Sequence, residues 1–193
     1  LSHRAPPHTF SKLKGALPGM TKKILVVVDY QNDFVDGSLG FDGAQQLDGI
    51  IVQRIEQTLR EGGELVFTFD THGQDYLQTA EGRALPVPHC LRGSEGWQLF
   101  GRTAGYLPRA SRTFEKETFG SLELARYLAD GGYGEVELCG LVSNICVVSN
   151  ALLAKAALPE ARVVIHQNAT ASADAVAHEA ALNVMRSVFC EVV

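Results

Sequence analysis

Short β-branched apolar runs alternate along the chain with segments of helical periodicity, and this alternation limits the choice of fold. Residues 24–28 read ILVVV, a continuous apolar run that is typical of a strand buried on both faces. A second such run follows at residues 65–69. Between them, apolar side chains recur every three or four positions from Ala44 to Leu59, as they do on one face of a helix. Strands that alternate with helices in this way predict a mainly parallel sheet.

The alternation continues to the C-terminus. Further strands are predicted at residues 136–141, 162–166 and 188–193, and further helices at residues 122–129, 146–157 and 173–184. Ser172 is a candidate N-cap for the last helix. Because crossovers between parallel strands are right-handed, helices should cover both faces of the sheet. We therefore predict the α/β class, as a three-layer α/β/α fold with a mainly parallel, doubly wound sheet.

Composition excludes several classes of protein. A chain of 193 residues with 46% apolar residues suits one globular domain. The formal net charge of −5 excludes a generally basic nucleic-acid-binding protein. No apolar run approaches the length of a transmembrane helix, so we expect no membrane partner. The four cysteines show no paired spacing, which predicts free thiols in a reducing, cytoplasmic compartment.

The beginning of the chain differs from the rest. Residues 1–23 contain no acidic residue but several basic ones, and Met20 lies just before the first predicted strand. We interpret residues 1–19 as a tag, a cloning scar or a disordered extension, followed by a domain over residues 20–193. A transit peptide is the alternative, since such peptides are also basic and poor in acidic residues.

Reactive side chains follow three of the predicted strands. Asp29 ends the first strand, Asp70 ends the second with His72 two positions later, and Cys146 comes shortly after the strand at residues 136–141. In open parallel sheets, ligands bind at the carboxyl ends of the strands. Residues 71–119 form a long, irregular segment, and such segments inside a compact domain usually build a site.

Asp29, Lys116 and Cys146 have side chains suited to nucleophilic catalysis. A thiol at a helix N-terminus feels the helix dipole, which lowers its pKa, and the unpaired N–H groups there can bind an oxyanion. Asp29 could take the thiol proton, and a buried Lys116 would stabilise negative charge. The alternatives are a buried apolar cysteine, a turn-capping aspartate and an exposed lysine in a charged loop.

Two carboxylates and two imidazoles form a candidate metal site at Asp70, His72, Glu81 and His89. Asp70 and His72 are two positions apart, so they point the same way in an extended chain. Such a set suits Zn, Fe or Mn. The alternative is a polar loop whose side chains are only solvated.

Three motifs follow one another along the chain: Asp-x-Gln-x-Asp-Phe from Asp29 to Phe34, the loop around Lys116, and the sequence GLVSNIC that ends at Cys146. Together they resemble the nicotinamidase branch of the isochorismatase-like cysteine hydrolase superfamily. The likeness runs from about Lys23 to the C-terminus and implies the isochorismatase-like hydrolase fold.

The resemblance implies a catalytic triad, with Asp29 as general base, Lys116 as its partner and Cys146 as nucleophile. It also implies a cis peptide bond between Leu141 and Val142. The N–H groups of Val142 and Cys146 would then form the oxyanion hole.

The resemblance also implies a metal and a substrate. The candidate metal site matches the order of the ligands in nicotinamidases, where a divalent metal holds the pyridine nitrogen of the substrate. Zn is the first expectation, with Fe or Mn as alternatives. Phe34 and Phe119 would sandwich the ring. The implied reaction is the hydrolysis of nicotinamide to nicotinate and ammonia through a Cys146 thioester, in NAD salvage, with the small-molecule amide as ligand.

The sequence departs from the pattern of nicotinamidases in two regions. Ser143 and Asn144 stand where Thr and Asp are usual, and the aromatic residue before the metal-binding His89 is missing, since the stretch reads ALPVP. One alternative is therefore a metal-independent isochorismatase-like or carbamoyl-amide (ureidoacrylate-type) cysteine hydrolase. Another is a non-catalytic binding or scaffold protein that keeps the fold. The sequence leaves a homo-oligomer open.

Overall fold

A computed structural model describes residues 21–193 and contains one six-stranded parallel sheet in this part of the chain. The strand order is β3-β2-β1-β4-β5-β6, and every pair of neighbours runs parallel. The strands are β1 (Lys23–Val28), β2 (Glu64–Asp70), β3 (Arg112–Lys116), β4 (Glu135–Leu141), β5 (Arg162–Ala171) and β6 (Glu191–Val192). The interpretation of residues 1–19 as an extension lies outside the described residues.

Helices cover both faces of this sheet. The longer ones are α2 (Leu47–Arg60), α4 (Leu122–Gly131), α5 (Val148–Ala157) and α6 (Ala175–Ser187), and the short ones are α1 (Asn32–Val35) and α3 (Ala80–Ala84). Short 3-10 turns lie at Ala44–Gln46, Tyr76–Gln78 and Thr103–Arg109. None of the helices between residues 21 and 193 combines the length and the apolar character needed to cross a membrane.

The alternation of side chains along the central strands divides the core into two layers. On one face, Leu25 and Val27 of β1 pack with Ile51 and Ile55 of α2. On the other face, the even-numbered residues of β1 pack against α4, α5 and α6, through residues that include Leu124, Leu128, Ala151, Leu182 and Met185. The predicted three-layer α/β/α fold with a doubly wound sheet is therefore confirmed, and the sheet is parallel throughout.

The sheet also contains a strand that the sequence pattern did not predict. Strand β3 lies inside the segment expected to be irregular, and only Phe114 and Lys116 of its five residues are buried. It is an edge strand, so the apolar run that marks a central strand is missing. Its pairing with β2 places Lys116 beside Asp70.

Several predicted boundaries differ from those observed. The predicted helix at residues 146–157 begins as a π-helical turn over Ser143–Val147, and regular α-helix starts only at Val148. Strand β5 extends five residues beyond His166, and the last strand is confined to Glu191–Val192. The N-cap of α6 is Asp174, whose carboxylate accepts from the N–H groups of residues 176 and 177, while Ser172 accepts from the Asp174 N–H.

The chain reverses its direction of winding between β1 and β4. After β3 it crosses β2 and β1 and continues on the other side of the sheet as β4, β5 and β6. A crevice forms outside the carboxyl ends of the strands where the winding reverses, and ligands of open α/β sheets bind there. Asp29 follows β1, and Val142 follows β4, so both lie at this crevice.

Candidate active site

Asp29 lies directly after β1 and is completely buried. Its backbone has φ of 44°, in the left-handed region that few residues other than Gly, Asn and Asp adopt. The Thr68 hydroxyl donates to Asp29 Oδ1 over 2.6 Å. Burial raises the pKa of Asp29, although the nearby Lys116 opposes this shift. The backbone and Thr68 together hold the carboxylate toward the crevice.

Lys116 ends β3 and brings three reactive groups together. Its Nζ lies 2.6 Å from Asp29 Oδ2, 3.2 Å from Asp70 Oδ1 and 3.6 Å from Cys146 Sγ. Burial acts to lower the pKa of Lys116, but the negative groups around it raise that pKa more strongly. The lysine is therefore a buried, charged ammonium, and the alternative of an exposed lysine in a charged loop is wrong.

Cys146 lies in the π-helical turn and is 4% exposed. Burial raises its pKa well above the usual thiol value, although Lys116 acts to lower it, and Asp29 adds to the rise as a charge and as a hydrogen-bond acceptor. The expectation of a lowered thiol pKa is thus wrong for the resting site, because desolvation by burial is the largest effect and raises the pKa of Cys146. The thiol is neutral at rest and needs a base.

A close approach of two backbones sets the distance between Asp29 and the cysteine turn. Gly140 of β4 is paired with Val28 and has φ of 108°. A Cβ at this position would lie 2.0 Å from the Val28 carbonyl oxygen. Only glycine allows β4 to pass so close to the residue that precedes Asp29.

The turn around Cys146 contains the two residues that the resemblance implied as oxyanion donors, Val142 and Cys146. The Leu141–Val142 peptide bond is cis, as the resemblance implied. The Val142 carbonyl accepts from the N–H groups of Ile145 and Val147 over 3.2 Å and 3.1 Å, which closes the turn. Val142 and Cys146 line the same cavity, so their proposed role as oxyanion donors is compatible with their placement.

The four candidate metal ligands converge beside Lys116. One ligand atom from each of Asp70, His72, Glu81 and His89 lies within 4.8 Å of the others. Asp70 Oδ2 is 3.0 Å from His72 Nε2 and 3.3 Å from His89 Nε2, and Glu81 Oε1 is 3.6 Å from His89 Nε2. The alternative of a solvated polar loop is wrong, because both imidazoles and Asp70 are buried.

The hydrogen bonds of His89 test whether this set fits a cation. His89 Nδ1 lies 2.8 Å from the Val87 carbonyl oxygen, which can only accept, so Nδ1 carries a proton. In neutral His89 the lone pair of Nε2 then faces the carboxylates of Asp70 and Glu81, and such a contact needs a positive charge between the groups. Burial acts to lower the pKa of His89, but the hydrogen bond with Asp70 raises it. A proton on Nε2 or a bound cation supplies that charge, and the two imidazole nitrogens and two carboxylates are a donor set that fits a divalent metal.

Two further side chains support the site: Gln31, which belongs to the first motif but was given no role there, and Tyr76, for which the sequence predicted no role. Gln31 is buried, accepts from the Asp70 N–H over 2.8 Å and donates to the Asp70 carbonyl over 2.9 Å. The buried Tyr76 ring contacts both imidazoles edge-on, at 4.7 Å from His72 and 5.0 Å from His89 between ring centres. The position of Gln31 between Asp29 and Asp33 was a sequence signal that could have indicated a role at the site. Tyr76 lies in an irregular segment without any such signal.

A small cavity of about 60 Å³ joins the two groups of residues. Phe34 and Phe119 line it, as do Cys146, Asp70, Glu81, His89 and Val142. Aliphatic residues complete the wall: Leu39, Leu85 and Ile145. Leu85 lies in the stretch ALPVP, where the resemblance implied an aromatic residue, and its aliphatic side chain forms part of the wall. We call this space the inner cavity.

Comparison with known proteins agrees with the geometry. A model of the isochorismatase domain matches residues 23–193. The isochorismatase family protein PncA of Bacillus subtilis is 30% identical over 176 residues, with 84% of this chain and 93% of that protein covered. A solved structure of the Bacillus subtilis nicotinamidase/pyrazinamidase PncA gives a TM-score of 0.79 at 32% identity, over 89% of this chain and 98% of that one.

A pyrazinamidase of Pyrococcus horikoshii, solved in complex with zinc, is also similar. Its TM-score is 0.78 at 26% identity, and the match covers 89% of this chain and 98% of that chain. The domain match spans nearly all of the described residues, and the fold agrees over the same range. The chain therefore belongs to the isochorismatase family and is a hydrolase similar to the nicotinamidase branch.

Proposed function

We propose that the protein hydrolyses nicotinamide to nicotinate and ammonia, with Asp29, Lys116 and Cys146 as the catalytic triad. The observation that carries the proposal is that Lys116 contacts Asp29, Cys146 and the candidate metal ligand Asp70, and that Cys146, Asp70, Glu81 and His89 line one cavity. The names of the relatives, nicotinamidase and pyrazinamidase, support the same reaction.

The first half of the reaction forms a thioester. Asp29 takes the proton of the Cys146 thiol, and the sulfur attacks the amide carbon to form a C–S bond. The N–H groups of Val142 and Cys146 donate to the oxyanion that develops. When the C–N bond breaks, Asp29 gives its proton to the departing nitrogen, which leaves as ammonia. The ammonium group of Lys116 stabilises the negative charges of both carboxylate and thiolate during these transfers.

The second half returns the enzyme to its resting state. Asp29 takes a proton from a water molecule, and the oxygen of that water attacks the thioester carbon. The C–S bond breaks, nicotinate leaves, and the proton returns to Cys146. The pKa of Asp29, raised by burial, suits a group that both accepts and donates protons.

Asp70, His72, Glu81 and His89 would hold the divalent metal. When bound, the metal supplies a Lewis-acid contact for the ring nitrogen of the substrate and so orients the carboxamide toward the thiol. Phe34 and Phe119 would bound the ring. We further propose Zn as the metal, with Fe or Mn as alternatives. The proposed ligand is a small-molecule amide, without a nucleic-acid or membrane partner, and the proposed location is cytoplasmic.

Ammonia release from nicotinamide by the purified protein, with Zn, Fe or Mn supplied, tests this function. Cys146→Ala should lower the rate by a factor of roughly 10⁴ or more, because the nucleophile is lost. Cys190→Ala removes a buried thiol elsewhere and serves as the matched control. A wild-type protein that releases no ammonia with any of these metals would refute nicotinamide as substrate.

Removal of the metal separates this function from its rival. Dialysis against a chelator should abolish activity, readdition should restore it, and His89→Ala should lower the metal content. Hydrolysis of a carbamoyl amide that continues in chelator, with His89→Ala unaffected, would instead establish the metal-independent hydrolase.

A further inference from the structure

A larger cavity adjoins the inner cavity on its solvent side. Its volume is about 480 Å³, and we call it the outer cavity. Four residues line both spaces: Glu81, Leu85, Phe119 and Ile145. Ala80, Ala84 and Thr118 line only the outer one. A group that leaves the inner cavity by this route must therefore pass the side chains of Leu85, Phe119 and Ile145.

The border between the cavities is apolar and open to solvent. Leu85, Phe119 and Ile145 are 38%, 41% and 38% exposed. Single exposed apolar residues are ordinary, but a contiguous group of them beside a pocket marks a binding surface. Ala80 and Ala84, the first and last residues of the short helix α3, add to the same surface. Only Glu81 and Thr118 bring polar side chains to it.

Hydrogen bonds hold the backbone on all sides of this opening. The Leu85 carbonyl accepts from the buried Tyr76 hydroxyl over 2.8 Å, and the Leu85 N–H donates to Glu81 over 2.7 Å. The Ile145 carbonyl accepts from Ser149, and the Phe119 carbonyl accepts from Asn150. The opening is thus a preformed feature of the fold, and binding there needs little ordering of the chain.

We propose that the outer cavity is a substrate subsite for an apolar ring substituent of an aromatic carboxamide, such as an alkyl group or a fused benzene ring. The inference rests on the proposed amidohydrolase function and refines its substrate class. The border between the inner and the outer cavity is aliphatic at Leu85, and most of the side chains that line the outer cavity are apolar. A substituent that enters it removes apolar area from water on both partners.

The test compares nicotinamide, 5-methylnicotinamide and quinoline-3-carboxamide in wild type and in Ala84→Asp. Ala84 lines the outer cavity only, and the new carboxylate would make that cavity unfavourable for an apolar group. Ala180→Asp, at an exposed position of α6, is the matched control. Each substrate is compared with itself across the proteins, so differences in intrinsic reactivity between the amides cancel.

We expect Ala84→Asp to lower kcat/KM for quinoline-3-carboxamide about tenfold more than for nicotinamide, since the fused ring buries several carbon atoms. The methyl compound should show about a two- to fourfold difference. Ala180→Asp should leave kcat/KM equal to the wild-type value for each of the three amides. Equal losses on all three substrates in Ala84→Asp would overturn the subsite.

Two further measurements distinguish a failure of the subsite from a failure of the proposed function. If wild type releases no ammonia from nicotinamide, the proposed function fails. Calorimetry then tests the subsite, because the dissociation constant of each amide can be compared between Ala84→Asp and wild type in the same way as kcat/KM. Light scattering reports whether Ala84→Asp changes the number of chains in the particle. A changed particle mass with unchanged substrate ratios would show an interface between copies and refute the subsite.

Discussion

Lys116 is the residue on which the charges of the site depend. It lies between the buried carboxylates of Asp29 and Asp70 and next to the Cys146 thiol. Two carboxylates in such surroundings cannot both stay ionised without a cation between them. The lysine therefore keeps Asp29 available as a base and lowers the pKa of the thiol relative to the same site without it.

Lys116→Met should lower amide hydrolysis by roughly 10²-fold or more, because general base catalysis depends on an ionised Asp29. It should also slow the alkylation of Cys146 by iodoacetamide at neutral pH, since the thiol pKa rises further when the ammonium is lost. Mass spectrometry identifies the labelled cysteine. Lys22→Met, at an exposed ion pair with Glu64, is the control. Unchanged alkylation in Lys116→Met would contradict this role.

Individual residues were predictable where they follow a recognisable strand. Asp29 and Asp70 could be placed at the crevice because the apolar runs before them are unmistakable. The burial of Lys116 did not follow from its own sequence, since two acidic neighbours suggest an exposed loop. The direction of the Cys146 pKa could not be predicted either, because it depends on how completely the fold removes water from the thiol.

At the level of elements, the π-helical turn Ser143–Val147 connects the sheet to the helical layer. Its first residue, Ser143, is completely buried, and its hydroxyl lies 2.8 Å from His178 Nδ1 on α6. This contact joins α6 to the residue that follows Val142. Displacement of catalytic groups by about 1 Å can cost 10²-fold in rate, so the position of this turn matters for the oxyanion donors.

His178→Ala should lower kcat about tenfold with little change in KM, because the turn loses its contact with α6 while the ring pocket stays intact. The buried Ser143 hydroxyl would also lose its partner, at a cost of about 1–3 kcal/mol in unfolding free energy. His178→Asn, which can still hydrogen-bond, should recover part of kcat. Glu179→Ala on the same helix is the control. A loss confined to stability, with kcat unchanged, would show that His178 does not position the turn.

The elements that the sequence predicted are those with long apolar patterns, and the missed ones lack them. Strand β3 alternates exposed and buried residues over only five positions, and it is stabilised by pairing with β2. The π-helical turn has no signature in side-chain periodicity, because it is closed by the backbone hydrogen bonds that the Val142 carbonyl accepts. Tertiary contacts decide both structures.

Across the whole molecule, a buried charge network lies beneath α2, away from the active site. Glu137 of β4 is 2% exposed and pairs with Lys23 at 2.6 Å and Arg54 at 3.0 Å, and it also contacts His166. Burial acts to raise the pKa of Glu137, but its hydrogen bonds with His166 and Lys23 lower that pKa more strongly. The network joins β1, β4, β5 and α2, so it depends on the complete fold.

The Glu137 network predicts a pH dependence of stability. A carboxylate whose pKa is lowered by folding stabilises the fold at pH values above its pKa in the unfolded chain, here about 4.5, and this stabilisation is lost as the pH falls further. Glu137→Gln should therefore lower the unfolding free energy at pH 7 by up to about 3–5 kcal/mol. The difference from wild type should shrink progressively below pH 4.5.

Chemical denaturation at a series of pH values measures this difference. Glu191 is an exposed residue at the far edge of the sheet, and its carboxylate pairs with Arg162. Glu191→Gln should therefore leave the dependence of the unfolding free energy on pH nearly unchanged. If the unfolding free energies of wild type and Glu137→Gln differ by the same amount from pH 7 to pH 3, Glu137 does not have a lowered pKa in the folded protein.

The wide separation of β1 and β4 along the chain has a consequence for synthesis on the ribosome. Val28 pairs with Gly140, so the central strand pair joins residues more than a hundred positions apart. At typical elongation rates the ribosome needs roughly 5–20 s to add the residues between them. During that time the apolar run of β1 has an unpaired edge, which is a template for aggregation. Binding of chaperones to the nascent chain in this interval would therefore affect the yield of active enzyme, in addition to the stability of the folded protein.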